Sequence, residues 1–120
     1  MSSQTTDTIF KDCPIRHVLA HVCGKWSLLV IYILHQRDNL RFNALNKAIP
    51  DISQKVLTST LRSLEADGFV TRRVYAEVPP RVEYALTDRA RSFIPLMESL
   101  IEWAKSNMAG ILRDRAEKVR

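Results

Sequence analysis

Ile52-Ser53-Gln54-Lys55-Val56-Leu57-Thr58-Ser59-Thr60-Leu61-Arg62-Ser63-Leu64-Glu65-Ala66-Asp67-Gly68 is the stretch on which the fold turns. Ser53 can cap a helix start through its hydroxyl, and Gly68 can end the helix in a left-handed turn. At helical spacing Val56, Leu57, Thr60, Leu61 and Leu64 share one side, while Lys55, Thr58, Ser59 and Arg62 share the other. One side is built to pack and the other is left to solvent or to a ligand. Upstream, Arg41 to Ile49 predicts a short helix with Phe42, Leu45 and Ile49 inward, and Pro50-Asp51 supplies a tight turn, which is helix-turn-helix spacing. Downstream, Phe69 to Tyr75 is β-branched and aromatic. Arg81 to Leu86 answers it by alternation across a Pro79-Pro80 tip, predicting a projecting hairpin whose prolines have no ladder hydrogen bond to lose.

Farther out, Cys13-Pro14 opens a helix with the apolar positions Ile15, Val18, Leu19 and Val22, and proline fits the first turn of such a helix. Gly24 interrupts it. Lys25-Trp26-Ser27 then leads a second helix, hydrophobic nearly all round through Leu28 to Leu34 and therefore central, which the loop Gln36 to Asn39 ends. Thr87 can cap a last helix, with Pro95 expected to bend it. The expected fold is mainly α with a small β-hairpin wing: a winged helix-turn-helix with N- and C-terminal dimerisation helices. The expected segments are a flexible N-terminal stretch 1–12 and one domain 13–120, with a reading helix 53–67, a wing 70–86 and a C-terminal dimerisation helix 88–112. So small a domain has limited room to bury the large apolar residues of its first and last helices. Ile15, Val18, Leu19, Leu96, Leu100 and Trp103 are therefore expected to line a homodimer seam.

With 120 residues, 46% hydrophobic and 26% charged, the chain suits one globular domain, and its net charge of +5 favours polyanions without naming one. Two cysteines cannot form a disulfide scaffold. The polar Met1 to Asp7 does not resemble a signal peptide, and Leu28 to Leu34 is too short to span a bilayer. The expected location is cytoplasmic, with no membrane partner. No glycine-rich phosphate loop, nucleophile elbow or carboxylate constellation is present, so no enzyme and no cofactor are expected.

The exposed side of the central helix alternates charge with short hydroxyls, a chemistry suited to double-stranded DNA. Arginine can take guanine O6 and N7 together, glutamine can pair with adenine, and serine or threonine serves bases or phosphates. Ser53, Gln54, Lys55, Thr58, Ser59 and Arg62 are the candidate reading residues. Arg72, Arg73, Tyr75 and Arg81 on the wing, with Arg41 near the third helix, are candidate phosphate or minor-groove contacts. The alternative is a winged helix used purely as a protein-interaction module, since fold does not fix function.

Cys13 lies at a helix N-terminus with Lys11, Arg16 and His17 nearby, surroundings that stabilise a thiolate, and is a candidate redox sensor; a plain helix-start cysteine is the other reading. Cys23 falls at the far end of that helix, where packing is expected. Ten helical residues span about 15 Å, beyond the roughly 7 Å limit of a disulfide, so the two cannot bridge within one chain. His17 and His21 with Cys13 could share one helix face, but nothing in sequence completes a tetrahedral set, and no metal is expected.

Taken together, Cys13-Pro14-Ile15, Gly24-Lys25-Trp26, Arg41-Phe42, Ile52 to Leu57, Leu61 to Gly68, Arg72-Arg73, Pro79-Pro80, Val82-Glu83-Tyr84, Leu86-Thr87 and Trp103 resemble the HxlR-type branch of winged-helix transcriptional regulators, relatives of the MarR group. The resemblance implies a cytoplasmic bacterial DNA-binding dimer, acting on a palindromic operator, with dimer contacts from the first and last helices. It also implies, through family members that answer electrophiles or oxidants, a sensing role for a cysteine at the Cys13 position. Phe69 departs from the smaller aliphatic residue often found there.

Overall fold

The computed structural model describes residues 14–119; the segment 1–12 and Cys13 lie outside the described residues. The elements are α1 (Pro14–His21), α2 (Lys25–Arg37), β1 (Leu40–Arg41), α3 (Phe42–Ala48), α4 (Gln54–Ala66), β2 (Val70–Tyr75), β3 (Arg81–Leu86) and α5 (Asp88–Val119). The strands form one antiparallel sheet in the order β1-β3-β2.

Both ends of α4 are held locally. Ser53 Oγ accepts the Val56 N–H at 3.1 Å. At the other end Gly68 sits at φ +78°, the Gly68 N–H reaches Glu65 O, and the Phe69 N–H reaches Leu64 O at 2.8 Å. That pair of bonds is the Schellman arrangement, which satisfies carbonyls the helix would otherwise leave bare. The turn before α4 places Asp51 at φ 66°, a left-handed conformation that a short polar side chain tolerates better than a bulky one.

Leu57, Leu61 and Leu64 of α4 pack on Val30, Ile31 and Leu34 of α2, with Leu45 of α3, Val70, Tyr84 and Leu86 of the sheet, and Ala90, Ile94 and Met97 of α5 completing the core. Thr87 joins wing to α5: its hydroxyl donates to Gly68 O at 2.6 Å and accepts the Ala90 N–H at 3.2 Å. Phe69 meets Phe93 edge-on at 6.2 Å, so its extra bulk is absorbed by an aromatic partner on α5.

Four expectations are corrected. The hairpin gains a third strand, because Leu40 pairs with Tyr84 and Arg41 with Glu83. Two residues cannot carry a period-two pattern, so the pairing comes from the neighbouring edge of β3 and delays α3 to Phe42. The second helix is central on one side only: Leu29 and Tyr32 are exposed. Cys23 lies beyond the end of α1, half-buried in the turn whose Val22 and Cys23 N–H groups both reach Val18 O. Finally, α5 outlasts its apolar stripe and runs to Val119, since Arg113 to Lys118 are good helix formers without a stop signal. It passes through Pro95 as a single helix.

Candidate nucleic-acid interface

On α4, Gln54, Lys55, Ser59 and Arg62 are exposed, and with Phe42 and Thr58 they line a groove of about 520 Å³ between α3 and α4. Thr58 is half-buried and its hydroxyl proton is engaged, donating to Gln54 O at 2.8 Å, which leaves only acceptor lone pairs for a ligand. Ser53 uses its oxygen on the cap, so it too enters the surface as a supporting residue.

The sheet register separates wing residues that are adjacent in sequence. Arg72 stands opposite Tyr84 and Arg73 opposite Glu83, and successive side chains on a strand point to opposite faces. Arg72 therefore shares the α4 side of the sheet, where it lines a cavity with Phe42, Thr58, Leu61, Arg62, Glu65 and Tyr84. Arg73 shares the other face with Arg41, which also pairs in register with Glu83. Sequence alone grouped Arg72 with Arg73; strand alternation places them on two surfaces.

Arg81 has partners of its own. Its Nη2 lies 3.2 Å from Glu77, its Nε 3.3 Å from Glu83, and its guanidinium stacks 4.0 Å above the Tyr75 ring. The Nε contact is close enough for charge attraction but lacks hydrogen-bond alignment. The cluster braces the hairpin and offsets two carboxylates near its tip, where Val78 is fully exposed. Phe42 and Glu65 are surface-lining residues that the pattern reading left out. Glu65 was findable, being three residues past Arg62 and hence on the same helix side.

At the other end of α4, His17 Nε2 meets Asp67 Oδ2 at 3.0 Å, and the His17 and His21 rings lie 4.4 Å apart. Among the described residues no group of three or more His, Cys, Asp or Glu could hold a metal; Cys13 lies outside them. Of the residues expected at a seam, Ile15, Leu19, Leu96, Leu100 and Trp103 are exposed, Leu96 to 66%, whereas Val18 packs partly against the core. Met108, Ile111 and Leu112 continue the exposed apolar surface along α5. No single helix among the described residues is long and apolar enough to cross a membrane.

Residues 21–111 match the model of the HxlR-like helix-turn-helix family. An uncharacterised HTH-type transcriptional regulator of Halalkalibacterium halodurans is 43% identical over 97 residues, covering 81% of this chain and 86% of the relative. Among solved structures, the regulator ytfH from Salmonella typhimurium superposes with a TM-score of 0.78 at 35% identity, over 88% of this chain and 94% of that one. The redox regulator HypR in its reduced form superposes with a TM-score of 0.76 at 39% identity, over 83% and 98% respectively. The chain thus belongs to the HxlR-like helix-turn-helix family.

Proposed function

We propose that the protein is a transcriptional regulator that binds double-stranded DNA sequence-specifically, as a homodimer on a palindromic operator in the cytoplasm, and is not an enzyme. The observation that carries this reading is the free polar side of α4, anchored by buried leucines beneath and bordered by a basic wing. Arg62 and Gln54 are assigned to base edges, and Lys55 and Ser59 to bases or phosphates. Arg41, Arg72 and Arg73 are assigned to the phosphate backbone, with Tyr75 and Arg81 holding the wing that presents them. The exposed apolar faces of α1 and α5 support pairing of two chains, and two-fold symmetry would set two α4 helices about 34 Å apart on successive major grooves.

A mobility-shift titration on genomic fragments against random duplex tests the reading. Preference for a discrete fragment is expected, with affinity falling with salt by about 0.9 log unit per phosphate contacted. Arg73→Ala should lower that slope by about one contact across all sequences, while Arg62→Ala should cost about 1–3 kcal/mol and relax base preference. Equal affinity for every duplex would leave a protein-interaction module as the better description.

A relative solved as a redox regulator in its reduced and oxidised forms favours a second element, control through Cys13. Diamide should alter DNA binding of the wild type and leave Cys13→Ser unaffected; an identical response in the variant removes this element.

A further inference from the structure

The hairpin carries an apolar strip that the core uses only in part. Its register puts Val70, Arg72 and Val74 of β2 on the same face as Val82, Tyr84 and Leu86 of β3. At the root of the hairpin Val70, Tyr84 and Leu86 are buried, so this is the face turned to the core and to α4. Toward the tip the strip outruns the rest of the chain: Val74 is 55% exposed, Val78 is fully exposed, and Pro79 and Pro80 beside it are exposed as well. The polar residues Arg73, Tyr75, Arg81 and Glu83 occupy the opposite face. The strip thus stays apolar where nothing in the chain covers it.

The tip is also braced and neutral. The Glu77 N–H reaches Tyr75 O at 2.9 Å, and the Glu77 carboxylate, the only one in the turn 76–80, lies 3.2 Å from Arg81 Nη2. Arg81 in turn stacks 4.0 Å above the Tyr75 ring, and the two prolines fix their own φ at about −65°. We infer that Val78-Pro79-Pro80 is a wedge that enters the minor groove and opens a base step, so that the protein kinks its duplex; the inference rests on the DNA reading above. Apolar side chains placed in a minor groove, proline among them, partly unstack a step and bend the duplex by about 20–90° toward the major groove.

Charge and position single out duplex DNA as the occupant. Arg72 stands on the strip's own face and lines one cavity with Thr58 and Arg62, so the apolar tip and the polar side of α4 look the same way. A basic frame around an uncharged tip matches a minor groove, whose walls are phosphate and whose floor is deoxyribose and base edge. With Glu77 paired, no free carboxylate at the tip repels those walls. Unstacking is easiest at pyrimidine–purine steps such as TA and CA/TG, so the wedge selects deformable sequence at positions that no hydrogen bond from α4 reaches.

Energy transfer between dyes at the two ends of the preferred genomic fragment, bound by the full chain, tests the wedge. The wild type should bend the fragment by about 20° or more. Val78→Ser removes no contact within the chain; it should abolish most of the bend and weaken binding by about tenfold, the worth of one buried aliphatic side chain, while Val78→Leu keeps both. Replacing pyrimidine–purine steps at the flanks by an A-tract should weaken the wild type and leave Val78→Ser unmoved. Val78→Lys should also lose the bend; a gain in affinity with a steeper salt slope would mean that the tip only lies beside phosphates, and overturns the wedge. A discretely bound but straight duplex, or an equal bend with Val78→Ser, overturns the wedge alone and leaves the tip to a protein partner. Binding with no preference for any fragment overturns the DNA reading and the wedge with it.

Discussion

The helices α4 and α5 solve opposite problems. In α4, 13 residues are bounded by Ser53 and Gly68, and the apolar side is buried almost without remainder, with Leu57 and Leu64 fully enclosed. In α5, 32 residues begin in the core at Ala90, Ile94 and Met97, but Leu96, Leu100, Trp103, Ile111 and Leu112 look outward. The first helix finds all of its apolar partners inside its own chain and so can offer a polar side to something else. The second has more apolar surface than its chain can cover. On the proposed dimer, the difference separates residues that govern folding from residues that would govern assembly.

The largest effect should come from breaking the α4 half of this contrast. Leu57→Ala empties a fully buried position and should cost about 2–5 kcal/mol in urea unfolding, with the spread set by how far α2 and the sheet relax into the gap. Trp103→Glu tests the other half. Trp103 is 59% exposed, so single-chain packing should barely register the change, while a central aromatic at a protein interface commonly carries about 2 kcal/mol or more of association. Sedimentation should show the proposed dimer shifted to monomer. An equally severe loss of folding at all protein concentrations would mean that α5 packs within the chain after all.

A smaller effect is expected at the junction of the two helices. Gly68→Ala keeps φ +78° only at a left-handed cost of about 1–2 kcal/mol, and its new Cβ would stand 2.5 Å from Arg89 Nη1. The arginine end can swing away, but then it gives up its 2.7 Å bond to Asp67 O. Thermal unfolding should report the loss without a change in oligomeric state.

Legibility followed the same division. The bounds of α4 were readable because cap, stripe and glycine all lie within one local stretch, and the wing was readable because β2 is β-branched and aromatic and β3 alternates, each over six residues. β1 was not, since Leu40-Arg41 is a strand only by virtue of β3 beside it. The same limit applies to the surface. That Lys55 and Arg62 share a helix side follows from 3.6-residue spacing, but the separation of Arg72 from Arg73 needs a register, and the pairing of Arg81 with Glu77 and Glu83 needs the hairpin closed. Charge type was visible in the chain; charge availability was decided by the fold.

The smallest expected effect concerns the contact between α1 and the end of α4. His17 is 56% and Asp67 24% exposed on their side chains, and the pair is ionic only when the imidazole carries a proton. Exposed pairs of this kind contribute about 0–1 kcal/mol, so Asp67→Ala, which removes the partner altogether, should scarcely move the unfolding midpoint. Its value lies in what α1 does next. The apolar anchors that seat α1 are Val18, half-buried, and Val22, buried just past its end, while Ile15 and Leu19 point away from the core. With so few holds within the chain, loss of the His17 contact should loosen α1 while α4 keeps its own caps. Hydrogen exchange should therefore rise in residues 15–21 and stay unchanged in residues 57–64. Equal protection in wild type and variant would show that Val18 and Val22 alone seat the helix, and that the contact with the end of α4 carries no coupling between the two helices.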